Sequence, residues 1–165
     1  MFGYGSLVAA LPVRTASVRG RRTWGVAMDN AVDLPGYKHY EEPGTIIRPD
    51  VMVAFLDLEP GGEDGVNGVM FEAEDLAALD ARERNYVREE VETSAGAAWA
   101  YVGSPAGRAR RARGVAEGRC VVHRAYLMRV LSGFAALGPG ELERFERSTG
   151  VLPGPLVDLA LVPHA

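Results

Sequence analysis

The stretch Val66-Asn67-Gly68-Val69-Met70-Phe71-Glu72-Ala73-Glu74-Asp75-Leu76-Ala77-Ala78-Leu79-Asp80-Ala81-Arg82-Glu83-Arg84-Asn85-Tyr86-Val87 changes its hydrophobic period midway. Val66 to Ala73 reads as a strand. Ala73, Leu76, Leu79 and Glu83 then recur at helical spacing, and Glu74 and Asp75 favour a helix start through the helix dipole. Val87 to Thr93 and Ala98 to Val102 return to strand character. A single helix embedded between strands, rather than helices alternating with every strand, predicts an α+β fold.

The reading extends outward in both directions. From Ala16 to Met28 the even positions are mostly apolar and the odd ones mostly polar, so the segment is a half-buried strand bent at Gly20. Residues 29–50 contain Pro35-Gly36 and Pro43-Gly44 and read as a long loop. Val51 to Leu58 is a strand, and a turn over Pro60 to Gly65 predicts that it forms a hairpin with Val66 to Ala73. Further on, Gly103 to Gly118 reads as a loop rich in Gly and Arg. Arg119 to Leu137 and Glu141 to Ser148 read as helices separated by Gly138-Pro139-Gly140. The tail over 152–165, with its apolar run Leu156 to Val162, is expected to pack on the body of a single domain spanning 1–165.

The chain has 165 residues, 47% of them hydrophobic and 24% charged, a balance suited to one globular domain. Net charge is −4, against a nucleic-acid footprint, and Cys120 alone cannot form an intramolecular disulfide. No run is apolar for the roughly 20 residues a bilayer needs. The start lacks a basic region ahead of its apolar residues, so no signal peptide is read. The expectation is a cytoplasmic protein that binds neither nucleic acid nor membrane. The cations comprise 17 arginines and one lysine, Lys38, which matches the codon bias of a GC-rich genome.

Two local features could carry chemistry. Glu83 shares a helical stripe with Leu76 and Leu79. A carboxylate on a core-facing stripe is partly buried; burial raises its pKa and makes it a usable general base. The competing reading pairs it with Arg84, Arg88 or another arginine at a helix edge. Gly3-Tyr4-Gly5-Ser6-Leu7 can turn sharply and expose successive N–H groups, a nest for a carboxylate or phosphate; the alternative is a plain tight turn. Val8 stands where a dinucleotide fingerprint needs its third glycine, and Tyr4 and Val8 replace the glycines of a nucleophile elbow around Ser6. His39, His123 and His164 show no metal-ligand spacing. Arg108, Arg110, Arg111 and Arg113 form a basic run that reads as a solvated loop, or alternatively as a surface for an anionic partner.

Taken together, Phe2-Gly3-Tyr4-Gly5-Ser6-Leu7 and Leu79-Asp80-Ala81-Arg82-Glu83-Arg84-Asn85-Tyr86, the latter after a strand ending Gly68-Val69-Met70-Phe71, resemble the γ-glutamylcyclotransferase family. Val18-Arg19-Gly20, Tyr86-Val87-Arg88 with Val91, Trp99-Ala100-Tyr101-Val102 and Tyr126 to Leu137 are similar to further family segments, so the likeness spans about residues 1–140. The Gly-Ser-Leu loop resembles the glutathione-degrading branch. The Tyr-x-Arg-x-x-Val stretch resembles the γ-glutamylamine branch and its plant avirulence-induced relatives.

The resemblance implies a small mixed β-barrel with flanking helices. It also implies conversion of a γ-glutamyl amide or peptide to 5-oxoproline and a free amine, with no cofactor and no metal. By position, Glu83 would be the acid/base. Tyr4, Gly5, Ser6 and Leu7 would hold the γ-glutamyl group, and Tyr101 would contact the substrate. A non-catalytic binder of small carboxylates on the same fold, and removal of a γ-glutamyl protecting group in a biosynthetic pathway, are alternatives that the same residues allow.

Overall fold

The computed structural model describes residues 1–9, 14–33 and 37–163; Pro35-Gly36 and His164 fall outside them. The longest elements are two strands, β2 (Arg14–Asp29) and β4 (Met52–Met70), paired antiparallel along their whole length. Every even residue of β2 from Ala16 to Met28 is buried, as the alternation requires. Gly20 marks the bend: a Cβ there would lie 2.6 Å from the Glu59 carbonyl oxygen.

The expected hairpin between Val51–Leu58 and Val66–Ala73 is not formed. Both apolar runs lie end to end in β4, and each pairs with a different half of β2, Leu58 opposite Arg22 and Val66 opposite Val18. The Pro60–Gly65 segment is a local excursion at the register shift beside Gly20, where Gly61 and Gly62 take positive φ values of 97° and 95°. One long partner strand thus replaces the turn.

Closure comes from the chain's first residues. The short strand β1 (Phe2–Gly3) pairs antiparallel with β4, Phe2 opposite Met70, and parallel with β6 (Gly96–Gly103), Phe2 opposite Ala100. With β5 (Tyr86–Thr93) joining β6 to β2, the strands close in the order β1-β6-β5-β2-β4 into a mixed five-stranded barrel. Gly68 permits this closure, because a Cβ there would meet the Gly3 carbonyl oxygen at 2.3 Å. The α+β barrel expected from the sequence is the fold observed. Its interior is filled by Phe2, Val18, Leu56, Leu58, Val66, Val69 and Ala100.

The embedded helix α1 (Leu76–Arg82) begins where the acidic residues indicate, with the Asp75 side chain accepting from the Ala78 N–H at 3.0 Å. Two other expectations fail. The Gly103–Gly118 segment is not a loop but contains helix α2 (Pro105–Ala116), capped by Ser104 and opened by Pro105. Its Ala and Arg residues are good helix formers. Its glycines mark close packing, since a Cβ on Gly107 would lie 2.5 Å from the Asn85 carbonyl oxygen and one on Gly114 2.6 Å from Met52 Cβ.

The Arg119–Leu137 segment is not one helix either. It splits into β7 (Cys120–His123), parallel to β4, and α3 (Arg124–Ala136). Cys120-Val121-Val122 is buried throughout and extends the sheet. Burial pushes the Cys120 thiol up.

Helix α4 (Glu141–Ser148) packs with α3 over a buried cation. Arg22 packs against the stacked rings of Phe134 and Phe145, 4.9 and 4.7 Å from their centroids, and donates to Ser148 Oγ at 3.0 Å. Burial lowers its pKa to about 9. The tail pairs twice with the body. β8 (Leu156–Val157) runs parallel to β7, and β9 (Ala160–Val162) pairs antiparallel with β3 (His39–Glu41), a strand inside the segment read as loop over 29–50. Among the described residues no helix is long and apolar enough to cross a membrane.

Candidate active site

The chain leaves β1 through a tight turn, Tyr4-Gly5, into the 3₁₀ turn Ser6–Ala9, where the Val8 N–H bonds to the Gly5 carbonyl at 3.1 Å. The leading N–H groups of such a turn have no partner within it. The turn is compact because its glycines are: a Cβ on Gly3 would stand 3.0 Å from Leu7 Cβ, and one on Gly5 3.3 Å from the Tyr126 hydroxyl oxygen. Tyr4 is buried, and its hydroxyl donates to the Tyr101 carbonyl at 2.5 Å, tying the turn to β6.

Tyr4, Gly5, Ser6 and Leu7 line a recess of about 30 Å³ together with Leu56, Glu83, Tyr86, Tyr101 and Tyr126. All six side chains or loop residues singled out from the sequence therefore meet at one recess. Ser6, Glu83, Tyr86 and Tyr126 also line an outer cleft of about 570 Å³, whose far walls include Tyr37, Lys38, Tyr40, Phe55 and Arg129.

Glu83 stands between the two. The reason for its burial differs from the stripe expected: no residue of α1 is buried, and Leu76 is exposed. Glu83 is the residue on which α1 ends, its N–H bonded to the Leu79 carbonyl at 2.9 Å, and the leaving chain turns its carboxylate into the cleft. The side chain is 16% exposed, and its ion-pair partner is Arg82 Nε at 3.1 Å. Burial raises the Glu83 pKa; Arg82 and Lys38 oppose the rise without cancelling it. Arg84 and Arg88, the partners considered from sequence, are engaged elsewhere: Arg84 over the Tyr37 ring and Arg88 with Asp80 at 3.5 Å.

The phenols of the site are neutral hydrogen-bonding groups, since burial holds Tyr4, Tyr86 and Tyr126 well above the ordinary tyrosine range. Tyr86 donates to the Leu56 carbonyl at 2.7 Å. The Tyr126 oxygen accepts from the Leu56 N–H at 3.4 Å, and among the described residues its own proton has no acceptor. Tyr101 presents its ring to the recess while its hydroxyl donates to Asp80 Oδ1 at 2.7 Å.

The match to a known family covers these residues apart from Tyr126. The family model described as gamma-glutamyl cyclotransferase, AIG2-like, matches residues 1–120. The chain belongs to this family. The matched span contains the turn, α1, Glu83 and all strands of the barrel. No curated protein and no solved structure matches the chain.

Sequence reasoning passed over Lys38, Arg82, Tyr126 and Arg129. Tyr126 and Arg129 belong to a helix that reads as amphipathic packing, and Lys38 sits in a segment without periodicity. The one signal for Lys38 was compositional, as the only lysine among 18 basic residues. The arginines of the basic run, by contrast, lie on a helix rather than a loop and bond to the barrel, with Arg108 and Arg113 still exposed at the surface. Arg108 pairs with Asp57 at 2.8 Å, and Arg113 with Asp29 at 2.7 Å. Arg110 and Arg111 donate to the carbonyls of Ala27 and Trp24 at 2.8 and 3.0 Å. They fasten α2 to β2 and β4.

Proposed function

We propose that this protein is an enzyme that cyclises a γ-glutamyl amide or peptide to 5-oxoproline with release of the amine, Glu83 serving as the acid/base. The observation that carries the reading is the raised-pKa carboxylate at the junction of the recess formed by Tyr4–Leu7 and the larger outer cleft. The substrate would enter with its α-carboxylate toward the recess lined by the turn and with its amine portion in the outer cleft.

In this placement the α-amine and the γ-carbonyl carbon belong to one molecule. The protein's main task is to fold that molecule into a near-attack geometry, for which effective molarities reach about 10⁵–10⁸ M. Deprotonated Glu83 takes the proton from the α-ammonium. The amine nitrogen then bonds to the γ-carbonyl carbon, closing the five-membered ring, and the bond from that carbon to the departing nitrogen breaks. Glu83 returns that proton to the departing nitrogen, and the second proton of the attacking nitrogen, shed as the lactam N–H forms, completes the ammonium of the released amine. The Tyr126 hydroxyl, with its proton uncommitted, would donate to the carbonyl oxygen as negative charge develops there. The scheme consumes no cofactor. Its partner would be a small molecule.

The test is a panel of γ-glutamyl amides and peptides, scored for 5-oxoproline. The expected result is stoichiometric 5-oxoproline and amine from at least one member, abolished in the main by Glu83→Gln. Saturable binding of γ-glutamyl compounds without any 5-oxoproline would identify a binding protein instead.

A further inference from the structure

The outer cleft holds charge that this chemistry does not use. Its walls carry three strong cations, Lys38, Arg82 and Arg129, against one carboxylate, Glu83. Arg82 is paired with that carboxylate. Burial pushes the His123 pKa below its ordinary value, and its Nε2 donates to the Leu159 carbonyl at 3.0 Å. Two cations remain. Among the described residues neither Lys38 nor Arg129 has a carboxylate within 4.0 Å.

Lys38 is the more telling of the two. Its ammonium is withdrawn from solvent over aromatic faces, 4.9 Å from the Phe55 centroid and 5.6 Å from that of Tyr37. Burial lowers its pKa while Glu83 supports its charge, so the acid/base group and the ammonium share one cleft. Withdrawing a cation without an anionic partner costs free energy, and cation–π contact returns only about 0.5–2 kcal/mol. Arginine fills every other basic position of the chain. Lysine differs in carrying a compact point charge on a flexible stem, with three donors that can follow a ligand group. Arg129, on the exposed face of α3, adds a second positive charge at the rim.

We infer that the outer cleft selects substrates whose departing amine carries a free carboxylate, with Lys38 binding that carboxylate and Arg129 reinforcing it from the rim. The inference rests on the cyclotransferase reading for the orientation of the substrate. The same two charges repel a departing portion that carries an ammonium group, so selection acts by attraction and by exclusion.

The experiment uses two matched sets of three compounds that differ only on the departing side. γ-Glutamylglycine carries a carboxylate, γ-glutamylglycinamide is neutral, and mono-γ-glutamyl-ethylenediamine carries an ammonium. The corresponding N-glutaryl compounds lack the α-amine, cannot cyclise, and allow binding to the intact wild-type protein to be measured by calorimetry. The expected order of affinity is carboxylate, then amide, then ammonium, with the first step tenfold or more, as a charge-assisted bond implies at about 1.5–3 kcal/mol. The kcat/KM values of the γ-glutamyl set follow the same order.

Lys38→Met brings the carboxylate-to-amide ratio close to one while leaving amide binding in place. Lys38→Arg keeps most of the ratio, and Lys38→Glu inverts the order. Equal affinities across the glutaryl set, an ammonium compound that binds best, or a ratio that survives Lys38→Met each overturns the inference. The wild-type ratio decides the matter even if a Lys38 variant does not fold. Failure of the cyclotransferase reading has a different signature: graded binding of the glutaryl set with no 5-oxoproline from any γ-glutamyl compound.

Discussion

Two of the carboxylates withdrawn from water, Asp57 on β4 and Glu83 at the end of α1, have surroundings opposite in kind. The Asp57 side chain is 0% exposed. It accepts from the Gly103 N–H at 2.6 Å and from Arg108 Nε at 2.8 Å. Glycine is needed around it, since a Cβ on Gly25 or Gly103 would lie 2.6 or 2.4 Å from its Oδ2. Glu83 has one ion-pair partner, Arg82, itself half exposed, and faces a recess on one side and a cleft on the other. Burial raises its pKa. A carboxylate with both oxygens hydrogen-bonded inside the fold holds structure together. One buried with a single partner and open space beside it is available for proton transfer.

Substitution should separate the two roles. The largest effect is expected at Glu83: Glu83→Gln lowers kcat/KM for 5-oxoproline release by about 10²–10⁴, with a melting temperature at or above that of the parent. The sign follows from linkage. A carboxylate whose folded pKa lies above its unfolded one loses stability as pH rises past the unfolded value, so removing its charge at neutral pH does not weaken the fold. A large fall in melting temperature would place Glu83 with Asp57 as a structural group.

Tyr126→Phe comes next, with kcat lowered by about 10² if its hydroxyl meets the developing oxyanion and KM changed little. An unchanged kcat would confine Tyr126 to packing. Asp57→Ala should cost about 1–3 kcal/mol of unfolding free energy, because the buried Gly103 N–H loses its acceptor; denaturant titration measures this. Arg111→Ala, which removes one bond from α2 to the Trp24 carbonyl, should cost about 1 kcal/mol and leave catalysis alone.

The contrast also explains what the sequence could and could not disclose. The alternation over Ala16–Met28 exposed the inner face of β2, because a period of two survives even where Arg22 occupies a core position. The embedded helix and its start at Asp75 were legible from local chemistry. The joining of two apolar runs into β4 was not, since only the length of β2 decides between a hairpin and one bent strand. Helix α2 was hidden by Gly107 and Gly114, which serve close packing against Asn85 and Met52 rather than turns. β7 was hidden because four buried residues run without a break into α3.

At the site, the turn and Glu83, both singled out in the sequence, line one recess, but the burial of Glu83 arises from its place at the helix end. Lys38, Tyr126 and Arg129 come from separate segments, and only the closed barrel with its tail brings them to the same cleft.

The account turns on one titration. The pH dependence of kcat/KM for 5-oxoproline formation reports the ionisations of the free enzyme and free substrate. With deprotonated Glu83 as the proposed base, activity should fall on the acid side with an apparent pKa above that of free glutamate. Arg82→Met should move this limb further up, because Arg82 lowers the Glu83 pKa in the parent protein. A profile that stays flat into the acid range, or a limb that Arg82→Met leaves in place, would contradict the assignment of Glu83 as the acid/base.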